Sequence, residues 1–463
     1  MRSGIALSIL QMCVIFSLTY SADSDNDTIF PVPENLRQNV TFWKKIYTQV
    51  SINEVLIHDS EYPGIIYQKM IKGDLTGKQL DKYLVKPVNR IVGAIKAVQE
   101  QEVTSWDKLA WEIASIYLGY PPEALENAHK RVRFQQGQRE RFIDGLKRSG
   151  AYLDTIKLIL GSFDLPLELA YLPHVESSFN YDVYSKVGAA GIWQFMPLTG
   201  KAFLTVNRYI DERKDPILST YAAARLLARN YGVLQSWPLS LTAYNHGITG
   251  VLKAIKQTDS RDIGVIVKEY SSPTFRFASK NFYSCFVAAS DAADSVYHYF
   301  GSVEYEKPYY RKDVILLNSM TPSEISTVLG ISRDEFLYHN PSILSSTYKS
   351  GFLLPAGTVI HISDSFTAGR LHSRVAFYYD SIPAIDSEYY VTREGDDMDI
   401  VAQKLNTTVE MLIFCNNVKP KELCAGQILG NPEKLQSSSQ EFSKSLFKNI
   451  PVTSNGERYQ LKF

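Results

Sequence analysis

The sequence predicts an α+β multidomain protein: a mainly α-helical body, then two smaller units that each run strand, helix, helix, strand. Three observations predict it. Apolar residues recur at helical spacing through roughly the first three hundred positions. After Arg311 the pattern changes to short β-branched runs flanking capping boxes, and that order occurs twice. At 463 residues, 45% of them hydrophobic, the chain can bury a large core and should divide into several domains.

Residues 1–21 read as a signal peptide, with Met1-Arg2, an apolar stretch from Ile5 to Leu18, and small residues at Thr19, Ser21 and Ala22. The apolar run is too short for a membrane span, and no later segment approaches about 20 consecutive apolar residues. The expectation is an exported, soluble protein, periplasmic or associated with the cell envelope. Cys13 follows Met12, where a lipid-attachment signal carries a small residue, which argues against a lipid anchor.

Residues 22–144 are expected to form an all-helical N-terminal region. Trp43, Ile46, Tyr47 and Val50 recur at helical spacing, Val88, Ile91, Val92, Ile95 and Val98 repeat it, and a third periodic stretch runs from Leu109 to Tyr120 before Pro121-Pro122. Lys130, Arg131, Arg133, Arg139 and Arg141 read as a basic helical run, a solvated face bracing the next domain.

Residues 145–301 hold the stretch that carries chemistry. Leu169, Ala170, Leu172 and Val175 make the approach to Glu176 almost wholly apolar, so this carboxyl leaves a buried element facing a polar turn. Burial disfavours the charged form and raises the pKa, as a general acid near neutral pH requires. Trp193 and Phe195 offer flat apolar faces and Gln194 a donor and an acceptor, the mixture a sugar ring needs. Downstream, Ser219 or Thr220 can cap a helix after Asp215-Pro216, and two further helices span residues 240–255 and 278–299.

Three motifs stand in order: Glu176-Ser-Ser-Phe-Asn180, Ser185-Lys-Val-Gly-Ala-Ala-Gly-Ile-Trp-Gln-Phe-Met-Pro-Leu-Thr-Gly200, and Ala243-Tyr-Asn-His-Gly247. Together they resemble the lytic transglycosylase family, most closely its membrane-bound lytic murein transglycosylase D type, from about Trp43 to about Leu429. The resemblance implies a goose-type lysozyme-like catalytic domain at 145–301 acting on peptidoglycan glycan strands. It implies Glu176 as the catalytic residue, Ser185 bonded to the substrate acetamido group, and Gln194, Phe195 and Met196 along the sugar. Tyr244 and Asn245 would orient Glu176 and substrate. Read from the residues alone, Ser185 can cap a local turn, Tyr244 can be core and Asn245 can cap a helix. Relatives also place a tyrosine in the cleft near residue 280, for which Phe282 and Tyr283 are both candidates. His174 and His246 are read as structural.

The two C-terminal units, 311–363 and 387–431, resemble LysM modules, which bind N-acetylglucosamine-containing glycans. The second carries Gly395, Asp396 and Asn416 at the module's positions and is expected to bind glycan. The first lacks the Gly-Asp pair and is a degenerate copy or a spacer. Between them 367–386 reads as linker, although Val375 to Tyr379 can pair as a strand, and 432–463 reads as a polar tail.

Lysines plus arginines number 49 and aspartates plus glutamates 49, so nothing implies a nucleic-acid partner. No His/Cys spacing suits a metal, and no cofactor is expected. Cys285 reads as a buried thiol, and Cys415 and Cys424 flank a short loop and can pair. A monomer is expected. Glycoside hydrolysis ordinarily uses two carboxylates, yet only Glu176 stands out, and Asp182 reads as a surface-turn residue. The resemblance resolves this by an intramolecular reaction yielding 1,6-anhydromuramic acid. The alternatives are a muramidase hydrolase and a catalytically inactive peptidoglycan-binding scaffold.

Overall fold

The computed structural model describes residues 29–430, except 101–103, 105, 317, 356–357, 364–374, 378–388, 392–395, 406, 408, 410–411 and 414–427. The expected signal peptide, Cys13, Gly395, Cys415, Asn416, Cys424 and the tail at 432–463 lie outside the described residues.

The N-terminal region is not all helical. Helix α1 (Arg37–Thr48) is followed by strands β1 (Glu54–Asp59) and β2 (Ile66–Ile71), helices α2 (Gly77–Gln99) and α3 (Lys108–Tyr117), and strand β3 (Val132–Gln136). The strands form an antiparallel sheet of order β2-β1-β3. As the central strand, β1 is buried along nearly its whole length, so its run Val-Leu-Ile lacks the alternation that marks a half-exposed strand. The basic run is likewise divided. Arg131 is engaged by the buried Asp59, its Nε 3.0 Å from both carboxylate oxygens, and the Arg133 guanidinium lies 4.0 Å from the Phe277 ring centroid. Lys130 ends a single 3-10 turn (Ala128–Lys130), and only Arg139 and Arg141 belong to an α-helix, α4 (Arg139–Ser149).

The helical body continues with α5 (Leu153–Ser162), α6 (Leu172–Glu176), α7 (Pro197–Gly200), α8 (Pro216–Leu234), α9 (Trp237–His246), α10 (Ile248–Thr258), α11 (Ile263–Glu269), α12 (Phe277–Asp294) and α13 (Val296–Phe300). The helix expected at 240–255 breaks at Gly247, whose φ of +81° is costly for any residue with a Cβ. The cap of α8 is Asp215, which accepts from the amides of Ile217 and Leu218, with Pro216 at the first helical position. Ser219 and Thr220 lie inside the helix and bond back to the carbonyls of Asp215 and Pro216.

Helix α12 is the axis of the body. Phe282, Tyr283 and Phe286 join the main core with Trp193, Leu227 and Leu241. On its other side Cys285, Ala288, Ala289 and Ala292 pack with Phe42, Trp43, Ile46 and Tyr47 of α1 and with Phe142 and Leu146 of α4. Residues on both sides of position 144 therefore share one core. The buried Asn281 carboxamide fastens it, its Oδ1 accepting from Asn39 Nδ2 (3.1 Å) and Trp43 Nε1 (2.9 Å). Hydrogen bonds to both donors offset the desolvation cost of this buried group and fix the seating of α1.

The first C-terminal unit has strand β4 (Arg311–Leu316), helices α14 (Pro322–Leu329), α15 (Arg333–His339) and α16 (Ser345–Ser350), and strand β5 (Val359–Ser363). Both expected caps form: Thr321 and Glu324 make a reciprocal capping box, and Ser332 Oγ accepts from the Glu335 amide. Helix α16 is additional to the expected order. Strand β6 (Val375–Phe377) adds to the edge of β4, giving the order β5-β4-β6, so the segment that reads as linker does pair. The second unit shows β7 (Tyr389–Val391) antiparallel to β8 (Ile428–Gly430) and α17 (Met398–Lys404), capped by Asp397.

Candidate active site

Glu176 is the last residue of α6, a single short turn opened by Pro173. The chain then reverses through Ser178 and Phe179 at φ of +53° and +57°. Left-handed backbone is unfavourable for a bulky residue such as phenylalanine. It is held here because the Phe179 ring is fully buried and Arg148 Nε donates to the Ser178 carbonyl at 2.9 Å. Residue types that would relax to an extended loop elsewhere are thus locked into a tight turn that aims Glu176 out of its helix end.

Burial pushes the Glu176 carboxyl up to about 8, with no charged neighbour contributing among the described residues. The groups that feel its charge are Tyr244 of α9, Tyr47 of α1 and Cys285 of α12, and burial keeps all three protonated. The acid therefore sits in a weakly polar, uncharged setting that favours retaining its proton at neutral pH.

The loop of residues 185–196 stands beside it, anchored by its own carbonyls. Ser177 Oγ donates to Ile192 O (2.9 Å), and Tyr244 Oη donates to Trp193 O (2.7 Å). Gln194 has φ of +47°, and its Nε2 donates to the carbonyls of Gly191 (3.0 Å) and Val183 (3.3 Å). Ser185 closes the start of the loop, its Oγ accepting from the Ala189 amide at 2.9 Å. Its turn-capping role is realised and leaves the hydroxyl proton to be donated. Asn245 is exposed, with Oδ1 accepting from Ser279 Oγ at 2.8 Å.

Two aromatic expectations are corrected. Trp193 is 0% exposed with Nε1 bonded to Thr220 Oγ1, and Phe195 is 3% exposed in the core beside Tyr244. Neither ring has a face left for a sugar, and the Phe195 carbonyl accepts from the Ala190 amide and Arg213 Nη1. The exposed apolar groups of the loop are Val187, 71% exposed, and Met196, 42% exposed; Tyr184, which the sequence did not single out, stands just before it at 48% exposed. Tyr283 donates to the Pro31 carbonyl and Phe282 lies in the core, so neither takes the cleft position suggested for them. His174 is stacked on Phe142 with both ring nitrogens unpartnered, and burial pushes it down to about 3. It is a neutral packing residue. Asp182 pairs with Lys214 at 2.7 Å on the surface. Asp396 is bonded to Lys404 at 2.8 Å.

Residues 163–267, which contain Glu176, Gln194, Tyr244 and Asn245, match the family described as Transglycosylase SLT domain. The chain is also similar to membrane-bound lytic murein transglycosylase D of Escherichia coli K12, 26% identical over 311 residues, covering 64% of this chain and 68% of that one. The matched span is a transglycosylase SLT domain. A putative tributyltin chloride resistance protein of Alteromonas sp. strain M-1 is 34% identical over 116 residues, 25% of this chain and 56% of that one. The crystal structure of the 70 kDa soluble lytic transglycosylase of Escherichia coli aligns at 21% identity over 47% of this chain and 32% of that chain, with a TM-score of 0.27.

In this chain the matched span supplies Glu176, the loop and Tyr244, whereas Tyr47 and Cys285 come from helices outside it. Sequence reasoning missed both, together with Asp211 and Arg213, whose buried ion pair at 2.7 Å underlies the loop. The one signal for the last pair is the spacing Asp211-x-Arg213-x-Asp215, in which acidic and basic residues alternate just before a helix start.

Proposed function

We propose that the protein cleaves the β-1,4 bond between N-acetylmuramic acid and N-acetylglucosamine in peptidoglycan by intramolecular transglycosylation. The observation that carries the reading is a single carboxyl, Glu176, with its pKa pushed up to about 8 and no second carboxylate acting on it among the described residues. Glu176 donates its proton to the glycosidic oxygen as the bond from muramyl C1 breaks, and the substrate acetamido oxygen stabilises the positive charge at C1. The muramyl O6 then attacks C1, its proton returning to Glu176. The products are a 1,6-anhydromuramyl end and a free N-acetylglucosamine hydroxyl, and no water is consumed. One group acting as acid and then base needs a pKa near the working pH, which its buried setting supplies.

In this reading Ser185 donates to the acetamido group, the Gln194 side-chain oxygen and Met196 meet the sugar beside the cleaved bond, and Tyr244 and Asn245 hold the loop and α12 around Glu176. The segment at 387–431 acts as a glycan-binding LysM module. The chain works at the cell envelope after export, and the relatives in Escherichia coli are membrane-bound by name. Among the described residues no helix is long and apolar enough to cross a membrane.

Mass spectrometry of fragments released from purified peptidoglycan tests the chemistry. Anhydro-ended muropeptides from the wild type and none from Glu176→Gln are expected. Reducing-ended fragments would establish a muramidase, and no fragments from either protein would leave the binding scaffold. A chain ending at residue 386 should pull down with insoluble peptidoglycan several-fold less than the full chain while cutting soluble strands normally. Undiminished pull-down would refute the module's glycan role.

A further inference from the structure

The first C-terminal unit is docked on the segment that underlies the cleft loop. Residues 205–212 form a small hairpin, with the Glu212 amide donating to Thr205 O and the Asn207 amide to Ile210 O. One side of this strap faces the unit. The Asp211 amide donates to Ser342 O (2.7 Å), the Leu344 amide to Tyr209 O (3.2 Å), and Thr347 Oγ1 to Tyr209 O (2.6 Å). The Tyr209 ring stacks on Phe352 at 3.8 Å and 17°.

The other side faces the cleft. Asp211 receives Arg213 through Nε (2.8 Å) and Nη2 (2.7 Å) and also receives the Tyr184 hydroxyl (2.9 Å). Arg213 then spends its remaining nitrogen, Nη1, on the carbonyls of Gly188 (2.8 Å) and Phe195 (2.9 Å), the two ends of the loop that carries Gln194. The fit is close. A Cβ at Gly191 would fall 1.7 Å from the Arg213 carbonyl, and its φ is +78°.

We propose that the 311–363 unit is a positioning element of the active site: it fixes the 205–212 strap, and through Asp211 and Arg213 it sets the 188–195 loop against Glu176. A buried bidentate guanidinium transmits a shift rigidly, because moving the strap moves both loop ends or breaks charge-assisted bonds. The degenerate sequence of this unit then has a reason. Its helical end is committed to the enzyme's own strap, so its helices and their connections answer to docking rather than to a glycan. The proposal rests on Glu176 being the catalytic acid.

The test compares two full-length variants of the unit. Phe352→Ala with Thr347→Val removes the side-chain contacts to Tyr209 of the strap, whereas Leu329→Ala weakens the unit's own core and leaves those two contacts in place. On soluble uncrosslinked glycan strands, well below the melting temperature, the strap variant should lose about 10- to 100-fold in kcat with little change in KM, and Leu329→Ala should stay within about twofold. Phe352→Tyr with Thr347→Ser, which keeps ring and hydroxyl, should restore the rate. Amide exchange at Ala190 and Gln194, which are bonded to Phe195 O and Gly191 O, should be at least about tenfold faster in the strap variant alone. Wild-type kcat and unchanged exchange in that variant would overturn the proposal, as would equal losses in Leu329→Ala. Exchange reads the loop whether or not the chain cuts glycan, so failure of the proposed chemistry would be seen separately.

Discussion

Two carboxyls lie 39 positions apart in this chain and are treated in opposite ways. Glu176 ends a short helix among Tyr47, Tyr244 and Cys285, is partly buried, meets no cation among the described residues, and is pushed up to about 8. Asp215 is fully buried, and burial alone would raise it. The Arg311 guanidinium at 2.7 Å, the His361 ring at 3.9 Å and the amides that begin α8 instead hold it below the usual carboxylate range. Burial is common to both, so the partner decides the charge state. Asp215 holds its charge at the seam between the helical body and β4, where charge is structural. Glu176 is left to keep its proton where the chemistry needs it, at a cost in stability.

The largest effect that would break this contrast is on turnover. Glu176→Gln retains size and burial but has no proton to give, so kcat should fall by about 10³-fold or more with the circular dichroism spectrum unchanged. Asp215→Asn should leave the chemical step near wild type. If both variants lose turnover equally while folded, the division between a catalytic and a structural carboxyl is wrong.

The next effect is on stability. Arg311→Ala strands Asp215 as a buried charge without its partner, which should cost about 3–5 kcal/mol in denaturant unfolding. Arg311→Met, of similar length, should cost nearly as much because the carboxylate remains. Adding Asp215→Asn to Arg311→Met should recover part of the loss, and failure to recover any would show that the cation acts by packing alone.

The sequence made one side of the contrast legible and hid the other. The apolar approach to Glu176 and the polar turn after it are local, so the raised carboxyl could be expected from residues 165–180 alone. The capping boxes at Thr321 and Ser332 were equally readable, because their partners sit three positions away. Arg311 and Asp215 are 96 positions apart, and nothing local at either residue names the other. The same holds for Arg131 and Asp59, 72 apart, which pair just before β3 where a basic helix was expected. Trp193 and Phe195 failed for a different reason. Aromatic residues in a polar motif suit a cleft or a core equally well, and only packing against Thr220 and Tyr244 decides between them.

The smallest effect separates the two carboxyls by the sign of their pH dependence. Glu176 has a raised folded pKa, so the wild type is unpenalised below the unfolded value near 4.5 and pays progressively as pH rises toward 8. Glu176→Gln should therefore melt with the wild type at pH 4 and about 2–6 °C above it at pH 8. Asp215 has a lowered folded pKa, so its contribution is present above the unfolded value near 3.8 and disappears as pH falls through the folded one. Asp215→Asn should melt well below the wild type at pH 7, with the gap closing in acid. Differential scanning calorimetry across pH 3–9 reads both series. A Glu176→Gln curve that runs below the wild type at pH 8 would mean that the ionised carboxylate is stabilised by a partner in the fold, and Glu176 would then be a charged residue like Asp215 rather than the acid of the reaction.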